Sequence, residues 1–111
     1  MSNVSDLLTI AASGLSAANT QLAVTANNIA NMNTPGFKAQ RANLAAAPGG
    51  GVDVVGIQST GQSVDPVTEV VHLTQAKWMY DANAMVIKVG DRMYGSLLNM
   101  LDTDRSDDSH D

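Results

Sequence analysis

The sequence predicts an all-α protein in which two long heptad-patterned terminal helices pair as a coiled-coil-like hairpin, joined by a short Gly/Ala-rich insert with room for a small β-hairpin. Three observations predict it. Leu8, Leu15, Leu22 and Ile29 recur every seven residues, with Ala11, Ala18, Thr25 and Met32 three further on each time. Leu73, Tyr80, Ile87, Tyr94 and Leu101 repeat that spacing, followed by Ala76, Asn83, Gly90 and Leu97. The stretch between the two patterns is rich in glycine and alanine instead. Apolar residues at a/d spacing make a seam along one side of a helix, and two such seams bury each other. At 111 residues the chain is one domain, near the low end of what buries an independent core. Its aromatics are Phe37, Trp78, Tyr80 and Tyr94 against abundant alanine, which predicts thin helix-on-helix packing.

The first element, 1–33, starts with Ser5 or Asp6 as a cap and stops at Asn33-Thr34-Pro35-Gly36. Proline is preset for the second position of a turn, and glycine takes positive φ at the third. In the insert, 34–65, Ala45-Ala46-Ala47-Pro48-Gly49-Gly50-Gly51 reads as a flexible connector, and Val52-Asp53-Val54-Val55-Gly56-Ile57-Gln58 as a strand. A turn at Ser59-Thr60-Gly61 would let that strand pair with Gln62 to Val64. The second helix spans 66–101, with Asp65 as N-cap, Pro66 at its first position and Glu69 closing the cap. It would be about 54 Å long at about 1.5 Å per residue. Asn83 and Gly90 weaken its seam and predict local irregularity, while Met79, Val86, Met93 and Met100 widen the apolar stripe as core. The tail, 102–111, is acidic and serine-rich, and is expected to be disordered.

Several function classes are excluded by composition. There is no cysteine, so disulfides and thiolate metal sites are absent. No run of 18 or more apolar residues exists, which argues against a membrane span, and the N-terminus lacks the pattern of a cleaved secretory signal. The net charge of −5 is concentrated in the tail, where Asp102, Asp104, Asp107, Asp108 and Asp111 face a single Arg105. The nearly neutral body, with scattered Lys38, Arg41, Lys77, Lys88 and Arg92, offers no stripe for nucleic acid. His72 has no second histidine or cysteine at metal spacing, His110 falls in the tail, and the tail aspartates lack the glycine and final glutamate of a calcium loop. The tail's Ser, His and Asp lack the rigid scaffold of a triad, and Gly49-Gly50-Gly51 lacks the Lys-Ser/Thr of a phosphate loop. No catalytic residue, metal, cofactor or small-molecule substrate is expected, so the chain reads as a non-enzyme.

Charge is also missing where it is normally found. From Leu7 through Phe37 no residue is charged. An exposed helix face ordinarily carries Glu and Lys pairs. Here the polar positions are Asn, Gln, Ser and Thr, and Asn27, Asn28, Asn31 and Asn33 crowd the helix end although asparagine is a poor helix former. With Leu22 at position a, Asn27 falls at f, Asn28 at g and Asn31 at c, outside the seam. Neutral amides are buried at far lower cost than ions when each donor and acceptor is matched. The strip Asn27, Asn28 and Asn31 is therefore expected to face neighbouring subunits, with capping as the competing explanation. Trp78 lies off the seam and is expected to pack on the hairpin or on a neighbour.

Ala11-Ala12-Ser13-Gly14-Leu15-Ser16-Ala17 followed by Asn27-Asn28-Ile29-Ala30-Asn31-Met32-Asn33-Thr34-Pro35-Gly36-Phe37-Lys38 resembles the start of bacterial flagellar rod and hook proteins. Val64-Asp65-Pro66-Val67-Thr68-Glu69-Val70-Val71 and Tyr80-Asp81-Ala82-Asn83-Ala84-Met85-Val86-Ile87 are similar to that family's closing segment. The short insert is most similar to that of a proximal-rod subunit, while Thr34-Pro35-Gly36-Phe37-Lys38 is closer to the distal-rod pattern. The resemblance implies a structural subunit of the basal-body rod in the periplasm, polymerising through both terminal helices with copies of itself and other rod subunits. It also implies delivery by the flagellar type III export apparatus without a cleaved signal. Expected assembly residues are Leu8, Leu15, Leu22, Asn27, Asn28, Ile29, Asn31, Thr34, Pro35, Gly36 and Phe37, with Leu73, Tyr80, Ile87, Tyr94 and Leu101. The alternative is a soluble coiled-coil adaptor or export-related binding module.

Overall fold

Both heptad segments fold as long helices, and they run antiparallel. The structure, a computed structural model, describes residues 4–109, with side chains through residue 102. The order is α1 (Val4–Ala30), β1 (Gln40–Ala46), β2 (Val52–Ser59) and α2 (Pro66–Ser109). Helix pairing produces an elongated body of 78 × 24 × 15 Å.

Small residues set the register. A Cβ built at Gly14 would stand 2.6 Å from Asn83 Nδ2, and one at Gly90 would stand 2.6 Å from Leu8 Cδ2. Each glycine thus receives a larger side chain from the opposite helix. Ala11, Ala18 and Thr25 on α1 and Ala76 and Gly90 on α2 are buried between them. These are the second rows of the two heptads, so the helices approach most closely along their small residues. The leucine rows, expected to carry the seam, flank it: Leu8, Leu15, Leu22, Ile29 and Ile87 are half-buried, and Leu73, Tyr80, Tyr94 and Leu101 are exposed. Large side chains on the closest line would hold the backbones apart.

α2 passes through Asn83 and Gly90 without interruption, contrary to the irregularity expected there. Asn83 Nδ2 bonds back to Met79 O at 2.8 Å, and Gly90 is held under Leu8. α2 also continues to Ser109, past the expected end at Leu101. No glycine or proline follows Gly95 to stop it. His110 and Asp111 lie outside the described residues. At the other end, α1 already includes Ser5 and Asp6, so neither is its cap.

The insert departs further from expectation. β2 pairs antiparallel with β1, from Gln40 opposite Ser59 to Ala46 opposite Val52, and not with 62–64. The stretch expected to be a flexible connector is the end of β1 and a tight turn, in which Ala47 N–H donates to Gly51 O and Gly50 N–H to Ala47 O. Gly49, Gly50 and Gly51 take φ of 84°, 111° and 96°, values closed to most side chains. A bulge opposite Asn43 and Leu44 leaves Val55 as the extra residue. The Ser59-Thr60-Gly61 segment is a bend that closes the sheet onto Ala39 through Thr60 N–H to Ala39 O and Ala39 N–H to Gln62 O, both 2.8 Å. The hairpin lies along α1: Ser13 Oγ accepts from Val52 N–H at 3.1 Å, and Gly50 and Gly51 sit against Ile10 and Ser13. Ala17 and Val24, on the same side of α1, are buried.

Two expectations about α1 and α2 are also revised. By length and composition α1 is apolar enough to cross a membrane, because no residue of it from Leu7 onward is charged; here it packs between α2 and the hairpin. Of the methionine row, Met79 is half-buried with Val86, whereas Met93 and Met100 are exposed, since the start of α1 lies opposite about Met93.

Gly14→Val should force the helices apart and cost about 1–3 kcal/mol. Gly95→Ala, where nothing lies within 4 Å of the new methyl group, should stabilise by roughly 0.5–1 kcal/mol. Thermal melts followed by circular dichroism check both signs.

Candidate functional site

The end of the molecule where α1 hands over to β1 is held by one amide. Asn28 is 1% exposed, the largest fully buried side chain. Its Oδ1 accepts from Gln40 N–H at 2.8 Å while its Nδ2 donates to Gln40 O at 2.9 Å. A carboxamide carries the same donor and acceptor as a peptide group, so Asn28 pairs with the first residue of β1 as a neighbouring strand would. The second Nδ2 hydrogen goes to Glu69 Oε1 at 3.0 Å, which draws in the first turns of α2. Aspartate lacks the donor and leucine lacks both groups.

Glu69 does not close the cap of α2. It is 3% exposed and turned inward, with Oε2 buried and unpartnered among the described residues. Asp65 caps alone: Val67 N–H donates to Oδ1 at 3.1 Å and Thr68 Oγ1 to Oδ2 at 3.0 Å. Glu69 precedes Ala76 by seven residues. Extending the second row of the C-terminal heptad back by one step therefore places a glutamate inside the seam opposite the end of α1. That signal was present in the sequence.

The neighbouring asparagines serve other ends. Asn31 Nδ2 donates to Asn27 O at 3.0 Å and Asn27 Oδ1 at 3.1 Å, Thr34 Oγ1 donates to Asn31 Oδ1 at 3.2 Å, and Asn27 Nδ2 reaches Gln40 Oε1 at 3.3 Å. This is capping of the helix end, leading into the turn that Thr34, Pro35, Gly36 and Phe37 form with φ of 79° at Gly36. The expectation that the amides form one outward strip is corrected for Asn28. Position g borders the seam on the side where β1 passes, and the amide is consumed inside the chain. Asn27 remains exposed and Asn31 half-exposed.

Outside this node the surface is apolar in places where nothing covers it. Val67, Val71, Trp78 and Met85 make a stripe along α2 on the side away from the seam, with Val67 72% and Trp78 67% exposed. The hairpin packs on α1, so it does not cover Trp78 as one expectation had it. Beside the seam, Leu22, Leu73 and Tyr80 line an open groove with Asn19 and Lys77. Past the start of α1, α2 runs on alone and exposes Tyr94, Leu97, Leu98, Met100 and Leu101. No group of three or more His, Cys, Asp or Glu is placed to hold a metal ion among the described residues. His72 is exposed on the rim of a polar cleft with Arg41.

The fold is a helical hairpin locked at one end by a buried amide, with apolar helix faces left open along its length. Residues 8–38 match the flagella basal body rod protein family, and residues 60–100 match the flagellar basal body rod FlgEFG protein C-terminal family. Among curated proteins, none matches the chain. The chain belongs to the flagellar rod and hook family, with most of each terminal helix inside a matched segment. Asn28 and Glu69 fall in different matched segments, and their hydrogen bond joins the two.

Asn28→Ala removes three hydrogen bonds and leaves buried partners unpaired, which should cost about 3 kcal/mol or more. Asn31→Ala, at a half-exposed cap, should cost about 1 kcal/mol or less. Urea unfolding of the two variants checks the difference.

Proposed function

We propose that the protein is a subunit of the flagellar rod that polymerises through α1 and α2 into the axial tube. The observation that carries this reading is that α2 exposes apolar residues on faces other than the one against α1. A helix that is apolar on several sides is stable only when it is covered on several sides. In a tube each subunit has neighbours on more than one side, and heterologous contacts of this kind propagate without closing. The charge-free face of α1 fits the same environment, because amides and hydroxyls desolvate at lower cost than ions.

The contacts between subunits would use the Trp78 stripe, the Leu22–Leu73–Tyr80 groove with its coiled-coil-like flanking rows, Asn27, Asn31 and the turn at 34–37. Ile29 and Phe37 border the turn, and Leu8, Leu15 and Ile87 flank the seam. The insert of about thirty residues between the helices supports a proximal position of the FlgC kind, whereas the C-terminal match is to the FlgEFG type. Copies of the chain and related rod subunits are the partners. The type III export apparatus delivers it to the periplasmic rod.

Mass spectrometry of purified basal bodies tests this reading. Several copies per basal body are expected; absence there, with the chain found free in the cytosol in a defined small complex, would overturn it in favour of an adaptor. Trp78→Asp should leave the isolated fold within about 0.5 kcal/mol of wild type, since surface changes away from packed features cost little. It should nevertheless reduce incorporation into basal bodies severalfold, and normal incorporation would remove the Trp78 stripe from the interface.

A further inference from the structure

The cleft where α1, β1 and α2 meet is used by none of the contacts described above. Gln21, Thr25, Gln40, Arg41, His72 and Gln75 line it, and it encloses about 160 Å³. Of these, Gln40 is engaged within the chain: its main chain is held by Asn28, and its Oε1 accepts from Asn27 Nδ2 at 3.3 Å. The Gln21 and Gln75 amides, the Arg41 guanidinium, the His72 imidazole and the Thr25 hydroxyl have no hydrogen bond or ion pair among the described residues. Polar groups from three elements therefore converge on one small space with their hydrogen-bonding capacity unspent.

Thr25 is the informative member. It is 3% exposed, and its hydroxyl is nevertheless unpaired among the described residues. Thr9, Thr20 and Thr74 each return the hydroxyl to the carbonyl four residues back, whereas Thr25 does not bond to Gln21 O. Among the described residues Glu69 Oε2 is the enclosed side-chain oxygen without a partner, so the Thr25 oxygen is reachable from outside, and the cleft is the opening it lines. Burying a hydroxyl without a partner is unfavourable, and valine would fill the same space without that cost. Helix packing alone does not call for an oxygen at this position. A ligand in the cleft does.

The lining selects the chemistry of that ligand. A guanidinium, an imidazole, three amides and a hydroxyl supply donors, and no acid lines the cleft. The acids nearby are engaged elsewhere, Glu69 with Asn28 and Asp65 with the cap of α2. A guanidinium presents paired N–H groups that match the two oxygens of a carboxylate. The volume is below the roughly 300–1,000 Å³ of a drug-sized or cofactor pocket and suits a carboxylate on a few carbon atoms. We infer that this cleft is a carboxylate-binding site, in which Arg41 clasps the two oxygens, the Thr25 hydroxyl donates to one of them, and His72 closes the rim. The carboxylate is carried by an acidic side chain of a neighbouring chain or by a free small acid; the recognition is the same for both. Arg41 also lines a second cleft with Gln58, Ser59, Thr60 and Gln62, which has no second cation and no buried hydroxyl. The inference does not depend on the rod-subunit reading.

Titration of the full chain with sodium acetate, followed by NMR against sodium chloride at the same ionic strength, tests the site. Acetate should give saturable shifts at the Thr25 methyl group and the His72 ring, and chloride should not. Arg41→Gln should weaken acetate binding about tenfold or more. Thr25→Val should weaken it about threefold or more while the melting temperature holds or rises, because the valine removes an unpaired buried hydroxyl. Gln58→Ala, in the second cleft, should bind as wild type does. The inference is overturned by acetate shifts that fail to saturate or that chloride reproduces, by a Thr25→Val variant that binds like wild type, or by a Gln58→Ala variant that loses as much binding as Thr25→Val. Incorporation into basal bodies then identifies the source. Arg41 is exposed, so a severalfold loss of incorporation in Arg41→Gln with an unchanged melting curve assigns the carboxylate to a neighbouring chain, and normal incorporation assigns it to a free acid. A wild type that binds acetate but is absent from basal bodies overturns the rod reading and leaves the site standing.

Discussion

The hydrogen bonding of Asn28 is the constraint on which the rest of the structure depends. The chain must leave a long helix, turn, and lay a two-stranded sheet back along that helix before starting a second one. A lone hairpin of this size has little stability in water. The Asn28 carboxamide satisfies the first residue of β1 in both directions and at the same time holds Glu69. Buried polar groups that are fully matched define one arrangement because every alternative leaves some of them unpaired. Most of this node is matched. Glu69 Oε2 is the exception, and it makes the position of Asn28 more demanding, since losing that donor would leave a buried carboxylate with no hydrogen bond at all.

With the end fixed, the small residues determine where the helices meet and what stays exposed. Gly14 and Gly90 accept Asn83 and Leu8, which draws the backbones together and moves the larger apolar side chains to the borders of the seam. The borders are then half-open, and the outward stripe through Trp78 is fully open. The difference in length between a helix of 27 residues and one of 44 residues leaves the end of α2 without cover. Exposed apolar surface of this extent along one rod-shaped body marks contact with other chains, which is how the fold connects to a family whose members are structural subunits of the flagellar rod.

The helices, the turn at 34–37 and the Asp65 cap were legible in the sequence because each rests on local chemistry: heptad spacing, Pro-Gly at fixed turn positions, and an aspartate before a helix-starting proline. The family was legible from the motifs at both ends. β1 was not, because Gln40 to Ala46 has neither alternation nor β-branched residues and becomes a strand only by pairing with β2 and Asn28. The direction of Asn28 was misjudged for a related reason. A helical wheel gives the angle of a side chain and not what lies there, and the strand that passes position g comes from another part of the chain. The extent of α2 was underestimated because aspartate and serine were read as ending a helix, when no glycine or proline stands there to stop it.

The most direct test of the account is a side-chain-resolution reconstruction of the assembled rod containing this subunit. The account predicts that Asn28 keeps Gln40 and Glu69 as its partners within one chain, while Trp78 and the end of α2 beyond Met93 are covered by neighbouring subunits. A rod in which Asn28 reaches across to another chain, or in which Trp78 and the end of α2 remain in solvent, would contradict it.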